Sequence, residues 1–336
     1  MTENTNKDLR LSRFEDYYII GNNGTYFKVG LIEGSIVENL MNGLSPEDIA
    51  KKTNVNLDLV ERIIAALKEN CVITEEQRKR HKFNPFYIRI PLFDANRILD
   101  YILSVFFRNR IINRIYASII LFMVIGGVVL SVVRSNTYLK VESVKSETVV
   151  YLAVYIAQFI TIIFHEMAHG LACNYYGGHA GKIGVALIGF NPAMFCEISS
   201  IREFKEKYKK VICCAAGLTV NASSLFLLNV ADIIYPTKFN KMMILINILN
   251  IIFNLLPFIR LDGYWIFSFA TGIDNLYTRS IRKAISVKDW CKDVRRENII
   301  LIIYGLVTIS LLFFGLIGFT HKLIEFMIKI YKLITV

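Results

Sequence analysis

Five apolar stretches, at 111–133, 148–172, 211–235, 241–259 and 298–319, constrain this 336-residue chain more than any other feature. Each approaches the ~20 residues a helix needs to cross hydrocarbon. With 54% hydrophobic residues and a mean hydropathy of +0.43, the chain is also too apolar for an ordinary soluble protein. The sequence therefore predicts a mainly α, polytopic membrane protein with about five transmembrane helices. The closing piece "KLIEFMIKIYKLITV" is too short and too lysine-punctuated for a sixth span, so 320–336 reads as interfacial.

The formal charge of +11 is unevenly placed. Residues 1–76 hold eight Lys/Arg against thirteen Asp/Glu, which excludes a nucleic-acid footprint in the soluble portion. Basic residues bunch before the first apolar stretch (Arg108, Arg110, Arg114), after the second (Arg202, Lys205, Lys207, Lys209, Lys210) and after the fourth (Arg279, Arg282, Lys283). The positive-inside rule then gives a cytoplasmic N-terminus and puts the ends of spans two and four on that same side. The first residues carry acids and no apolar core, so no secretory signal is read there. The six cysteines show neither a C-x-x-C pair nor a disulfide-framework spacing, and read as reduced structural thiols.

Residues 1–80 read as a small α+β domain. "YYIIGNNGTYFKVG" is a hairpin signal around Asn-Asn-Gly. Three helical segments follow, the second opened by Ser45 as cap, Pro46 in the first turn and Asp48 closing a capping box. "CVITEE" is strand-like, giving the order β-β-α-α-α-β of a small winged helix. Residues 81–110 form a charged linker and a helix suited to an anionic membrane surface. Residues 111–336 make up the membrane portion, and "YYGGHAGKIGVALIGFNPAMFCEISS" within it reads as a β hairpin or re-entrant segment.

The chemistry concentrates at "FHEMAH" in the second apolar stretch. His165 and His169, four apart, share a helical face and can reach one tetrahedral metal. Glu166 can act as base toward a metal-activated water. Ionisable groups inside apolar spans are unfavourable unless paired or metal-bound, and so mark function. Zinc with two histidines needs a further protein ligand; His179, Glu197, Asp232 and Asp262 are the candidates. Asp232, toward the outer end of the third span, reads as a solvated end residue, and His179 as a loop histidine. Asp262, in "NLLPFIRLDGYW", follows span four on the histidines' side.

H-E-x-x-H with "NLLPFIRLDGY" resembles the site-2 protease family of intramembrane zinc metalloproteases, whose second motif runs N-x-x-P-x-x-x-L-D-G. Asn254, Pro257, Leu261, Asp262 and Gly263 match that motif, and the resemblance covers roughly 145–275. It implies Zn2+ on His165, His169 and Asp262, Glu166 as general base and acid, and Asn254 near the metal, placed to bond a substrate carbonyl or its oxyanion. "AAGLTVN", ending at Asn221, is similar to the family's A-G-P-x-x-N without the proline. The hairpin segment is similar to the bacterial peptide-processing subgroup, in which an acid follows the cysteine, here Glu197 after Cys196; Phe269 stands where that subgroup often carries another acid. Asn221, Asn191 and Glu197 are the substrate-binding candidates. Residues 14–76 resemble the PqqD-like fold that binds leader segments of ribosomally made, modified peptides.

Together these resemblances imply a protease in a bacterial plasma membrane, processing a peptide precursor. The implied partners are a peptide or membrane-anchored protein substrate and the lipid bilayer, and a homodimer is compatible with them. Two rival readings remain: a regulatory intramembrane protease of an anchored anti-sigma factor or signal-peptide remnant, and a non-proteolytic peptide export or immunity protein.

Overall fold

The computed structural model describes residues 9–22, 25–70, 72–73, 87–107, 109–138, 148–188, 191–287, 290 and 295–334. They fall into two compact units, 1–251 and 252–336.

The first unit opens with an antiparallel sheet of order β1-β2-β3, made of β1 Arg10–Arg13, β2 Tyr18–Asn22 and β3 Thr25–Val29. Asn22 pairs with Thr25 across the expected Asn-Asn-Gly turn. The sequence reading missed β1. It exists because β2, buried at every position, has two edges to satisfy, and four residues of a half-buried strand cover the second. Three helices follow: α1 Leu31–Met41, α2 Pro46–Thr53 and α3 Leu57–Glu69. The cap of α2 is as expected: the Asp48 N–H donates to Ser45 Oγ at 3.2 Å, and the Ser45 hydroxyl donates to Asp48 Oδ2 at 2.9 Å. Ile20, Ile36, Val37, Ile49 and Val60 form the core that sheet and helices share. Val72 and Ile73 join it, whereas 74–76 of the anticipated last strand lie outside the described residues.

The linker region departs from expectation. Residues 87–106 form a strand, β4 Tyr87–Asp94, and a separate helix, α4 Asn96–Phe106, where one interfacial helix was read. β4 pairs antiparallel with β5 Lys182–Ile188, which pairs with β6 Asn191–Cys196, giving the order β4-β5-β6. Pro91, which argues against a strand in the sequence, sits where the register shifts, on an edge strand. Sequence-distant hydrogen bonding to β5 decided this segment, and no local periodicity could show it.

The long helices of this unit are α5 Arg110–Val133, α7 Thr148–Tyr175 and α8 Lys207–Ile234; α6 is a single turn, Ser135–Tyr138. Gly127 lets α5 and α8 approach closely, because a Cβ there would lie 2.3 Å from the Ala222 carbonyl oxygen. α9, Lys238–Leu255, carries the fourth apolar stretch. The second unit contains α10 Asp262–Thr271, α11 Leu276–Ile285 and α12 Arg296–Ile334. Tyr264, Ile273, Leu276, Leu301 and Tyr304 form its core.

Among the described residues, four helices are long and apolar enough to cross a membrane: α5, α7, α8 and the first 27 residues of α12. The expected span at 241–259 is not among them. α9 is only 18 residues long and carries Asn240, Asn247, Asn250 and Asn254 besides two lysines, which dilute its hydropathy. The C-terminal piece is no separate segment either, because α12 continues unbroken through 320–334.

Asp232 corrects a further expectation. Far from being solvated, its side chain is fully buried, and Oδ2 receives the Arg134 guanidinium at 2.9 Å. Arg134 also donates to the Asn229 carbonyl oxygen, and the Asn229 side chain takes a hydrogen bond from Tyr138 and donates to Ser131 Oγ at 3.0 Å. This network ties the end of α5 to α8. Arg134→Leu is expected to destabilise the fold by about 2–3 kcal/mol, below the ~3–5 kcal/mol of a fully buried pair because the guanidinium keeps 20% exposure. The double variant Arg134→Leu/Asp232→Leu is expected to recover most of that loss in denaturant titrations. A single variant no less stable than wild type would show the pair to be dispensable.

Candidate metal centre

α7 delivers the histidine pair. A four-residue spacing stacks His165 and His169 one turn apart, both buried, with Nε2 atoms 3.2 Å apart. His169 Nδ1–H donates to the Cys213 carbonyl oxygen of α8 at 2.8 Å. A carbonyl can only accept, so Nδ1 carries the proton and the Nε2 lone pair points toward His165. A hydrogen bond from the other ring nitrogen to a carbonyl is what fixes the tautomer and orientation of a metal-ligating histidine. Two nitrogens on one tetrahedral zinc at ~2.0–2.1 Å lie about 3.3 Å apart, so the pair's spacing fits a shared ion.

Glu166 faces the hairpin. Its Oε2 accepts the Cys196 N–H at 2.8 Å, which pins the carboxylate to the end of β6. Burial, reinforced by the Glu166 carboxylate, pushes the Cys196 thiol far above its usual range.

Gly217 is the element that sequence reasoning did not single out. A Cβ on it would lie 2.3 Å from His165 Nε2 and 2.5 Å from His169 Nε2. Only a glycine lets α8 pass this close to both ring nitrogens. The available signal was its place in "AAGLTVN" four residues before Asn221, on the same helical face.

Asp262 opens α10. The turn before it is tight, since a Cβ on Gly263 would lie 2.3 Å from the Leu255 carbonyl oxygen. His165 and His169 belong to the first unit and Asp262 to the second. Two imidazoles and a carboxylate are a donor set that suits zinc, and cobalt or iron could use the same ligands.

Glu197 packs over Gly181, where a Cβ would meet its Oε2 at 2.9 Å, and its backbone closes the hairpin base through the Lys182 carbonyl. His179 is an exposed loop residue whose N–H donates to Ser200 Oγ at 2.8 Å. Asn221 is buried within α8, and Asn254 is half-buried in the last turn of α9. Asn191 starts β6, but its side chain lies outside the described residues. The chain matches no protein-family model, no curated protein and no solved structure. Its chemistry therefore rests on this geometry.

Proposed function

We propose that the chain is a membrane-embedded zinc metallopeptidase that hydrolyses a peptide bond in a precursor or membrane-anchored substrate. The observation that carries this reading is the buried pair His165 and His169, with Nε2 atoms 3.2 Å apart, beside a carboxylate, Glu166, on the turn of helix that bears them; Asp262 is the third ligand of the proposal. When bound, zinc would supply Lewis acidity toward the scissile carbonyl and lower the pKa of a coordinated water. Glu166 takes the proton of the attacking water and delivers it to the leaving amine. The Cys196 N–H holds that carboxylate in place, and the Cys213 carbonyl holds the His169 tautomer.

A helical substrate hides its carbonyls in its own hydrogen bonds, so it must present an extended stretch. Strand β6 forms one edge of the β4-β5-β6 sheet and can pair with such a stretch by strand addition. In the N-terminal sheet, β1 and β3 are the two edge strands, and either offers the same mode of binding to a leader segment. The four long apolar helices support a bilayer as the environment, and the bunching of basic residues beside the apolar stretches is the ground for putting the N-terminal domain on the cytoplasmic side.

Metal analysis of the purified chain tests the assignment. Wild type is expected to hold about one zinc per chain, the occupancy of a catalytic site with three protein ligands. His165→Ala and Asp262→Ala are each expected to lose it. Zinc retained in both variants would refute the ligand set.

A further inference from the structure

The face of α7 that carries His165, Glu166 and His169 continues backward through Ile162 to Phe159 and Gln158. Together with Val185, Ala193 and Met194 of the β5–β6 hairpin, these three residues line a cleft of about 110 Å³. Tyr155 lines it too, and the lining is apolar except for the Tyr155 hydroxyl and the Gln158 amide. Gln158 Oε1 is buried with no hydrogen-bond partner among the described residues. A buried acceptor without a donor is unfavourable, so the complementary occupant brings an N–H as well as apolar surface. An acyl chain supplies only the second. An extended peptide supplies both within adjacent residues.

Helix rise sets the reach. Gln158 lies eight residues before Glu166, or about 12 Å at ~1.5 Å per residue, and Ile162 about half that. An extended chain advances ~3.3 Å per residue, so a side chain entering the cleft belongs two to three residues from the bond at Glu166. A cavity of ~150 Å³ holds benzene, which makes this one suited to an aliphatic side chain of leucine size.

We propose that this cleft is a specificity subsite, taking a large aliphatic side chain of an extended peptide two to three residues from the scissile bond. Gln158 Oε1 accepts a backbone N–H of the same stretch. The inference rests on the metallopeptidase reading above.

The test uses the full zinc-loaded chain in detergent and three chelating probes: acetohydroxamate, acetyl-Leu-Gly-Gly-hydroxamate and acetyl-Ala-Gly-Gly-hydroxamate. Wild type is expected to bind the leucyl probe roughly 50-fold tighter than the alanyl one, the increment for burying three extra aliphatic carbons. Ala193→Phe fills the cleft and is expected to bring that ratio to about 1 while acetohydroxamate binding stays unchanged. Gln158→Leu is expected to weaken both tripeptide probes about 5- to 10-fold, the loss of one hydrogen bond, without affecting acetohydroxamate. Equal binding of the two tripeptides to wild type, or a leucyl preference that survives Ala193→Phe, would overturn the subsite. If that preference survives while Ala193→Phe strips bound phospholipid, the cleft belongs to lipid. Failure of acetohydroxamate itself to bind wild type would overturn the metallopeptidase reading, and the subsite with it.

Discussion

Glu166→Gln is expected to keep its zinc and to lose hydrolysis by about 10²–10⁴-fold, the range that a positioned general base supplies. Glutamine preserves the shape of the side chain and can still accept the Cys196 N–H through its carbonyl oxygen, so the anchorage to β6 survives. What it cannot do is take a proton. The proposed donor atoms, Nε2 of His165 and of His169, belong to other side chains, so the substitution leaves them in place. The measurement is paired: zinc content by elemental analysis, and turnover of a peptide substrate presented in detergent or proteoliposomes. A variant that retains wild-type turnover would remove Glu166 from the chemistry and revive the reading of a non-proteolytic export or immunity protein. A variant that loses both zinc and turnover would instead make Glu166 a structural support of the site.

How far the sequence announces all this depends on the range over which each feature is decided. Features fixed within one or two helical turns were legible. The His165–Glu166–His169 spacing, the Ser45 cap, the pairing of Asn22 with Thr25 and the pairing of 182–188 with 191–196 stand in the structure as the local pattern predicts. Features decided by a distant partner were not. β1 and β4 are strands because β2 and β5 present open edges, and neither has the alternation or length to stand out by itself. Asp232 is buried because Arg134, 98 residues away, meets it. Positional logic placed Asp232 at a helix end but could not see its counter-charge. The support of His169 comes from the carbonyl of Cys213, a backbone atom that any residue would offer, so no residue type could have flagged it. α9 was read as a span because its apolar residues dominate a short window, while its asparagines count against it over the whole helix.

The same reasoning makes Gly217 the most informative single position. Gly217→Ala is expected to lower zinc affinity by at least 10³-fold, since two protein donors are displaced at once and outer-shell changes alone cost ~10–100-fold. The added methyl carbon would lie 2.3 Å from His165 Nε2 and 2.5 Å from His169 Nε2, far inside van der Waals contact with both donor atoms. Either the rings turn away or α8 retreats from α7, and both movements separate the donors. A helix shift would also lengthen the bond from His169 Nδ1 to the Cys213 carbonyl and free the imidazole's tautomer. A general loosening of helix packing could mimic this result, so a second glycine serves as the control. At Gly126 a Cβ would meet the Phe226 ring at 2.8 Å, an overpacked contact between α5 and α8 that involves neither histidine. Gly126→Ala is expected to destabilise the fold by about 1–3 kcal/mol and still bind zinc, because overpacking there strains the helix pair without touching the donors. Equal zinc affinity in Gly217→Ala and wild type would mean that the metal, if bound, is held somewhere other than between these two imidazoles.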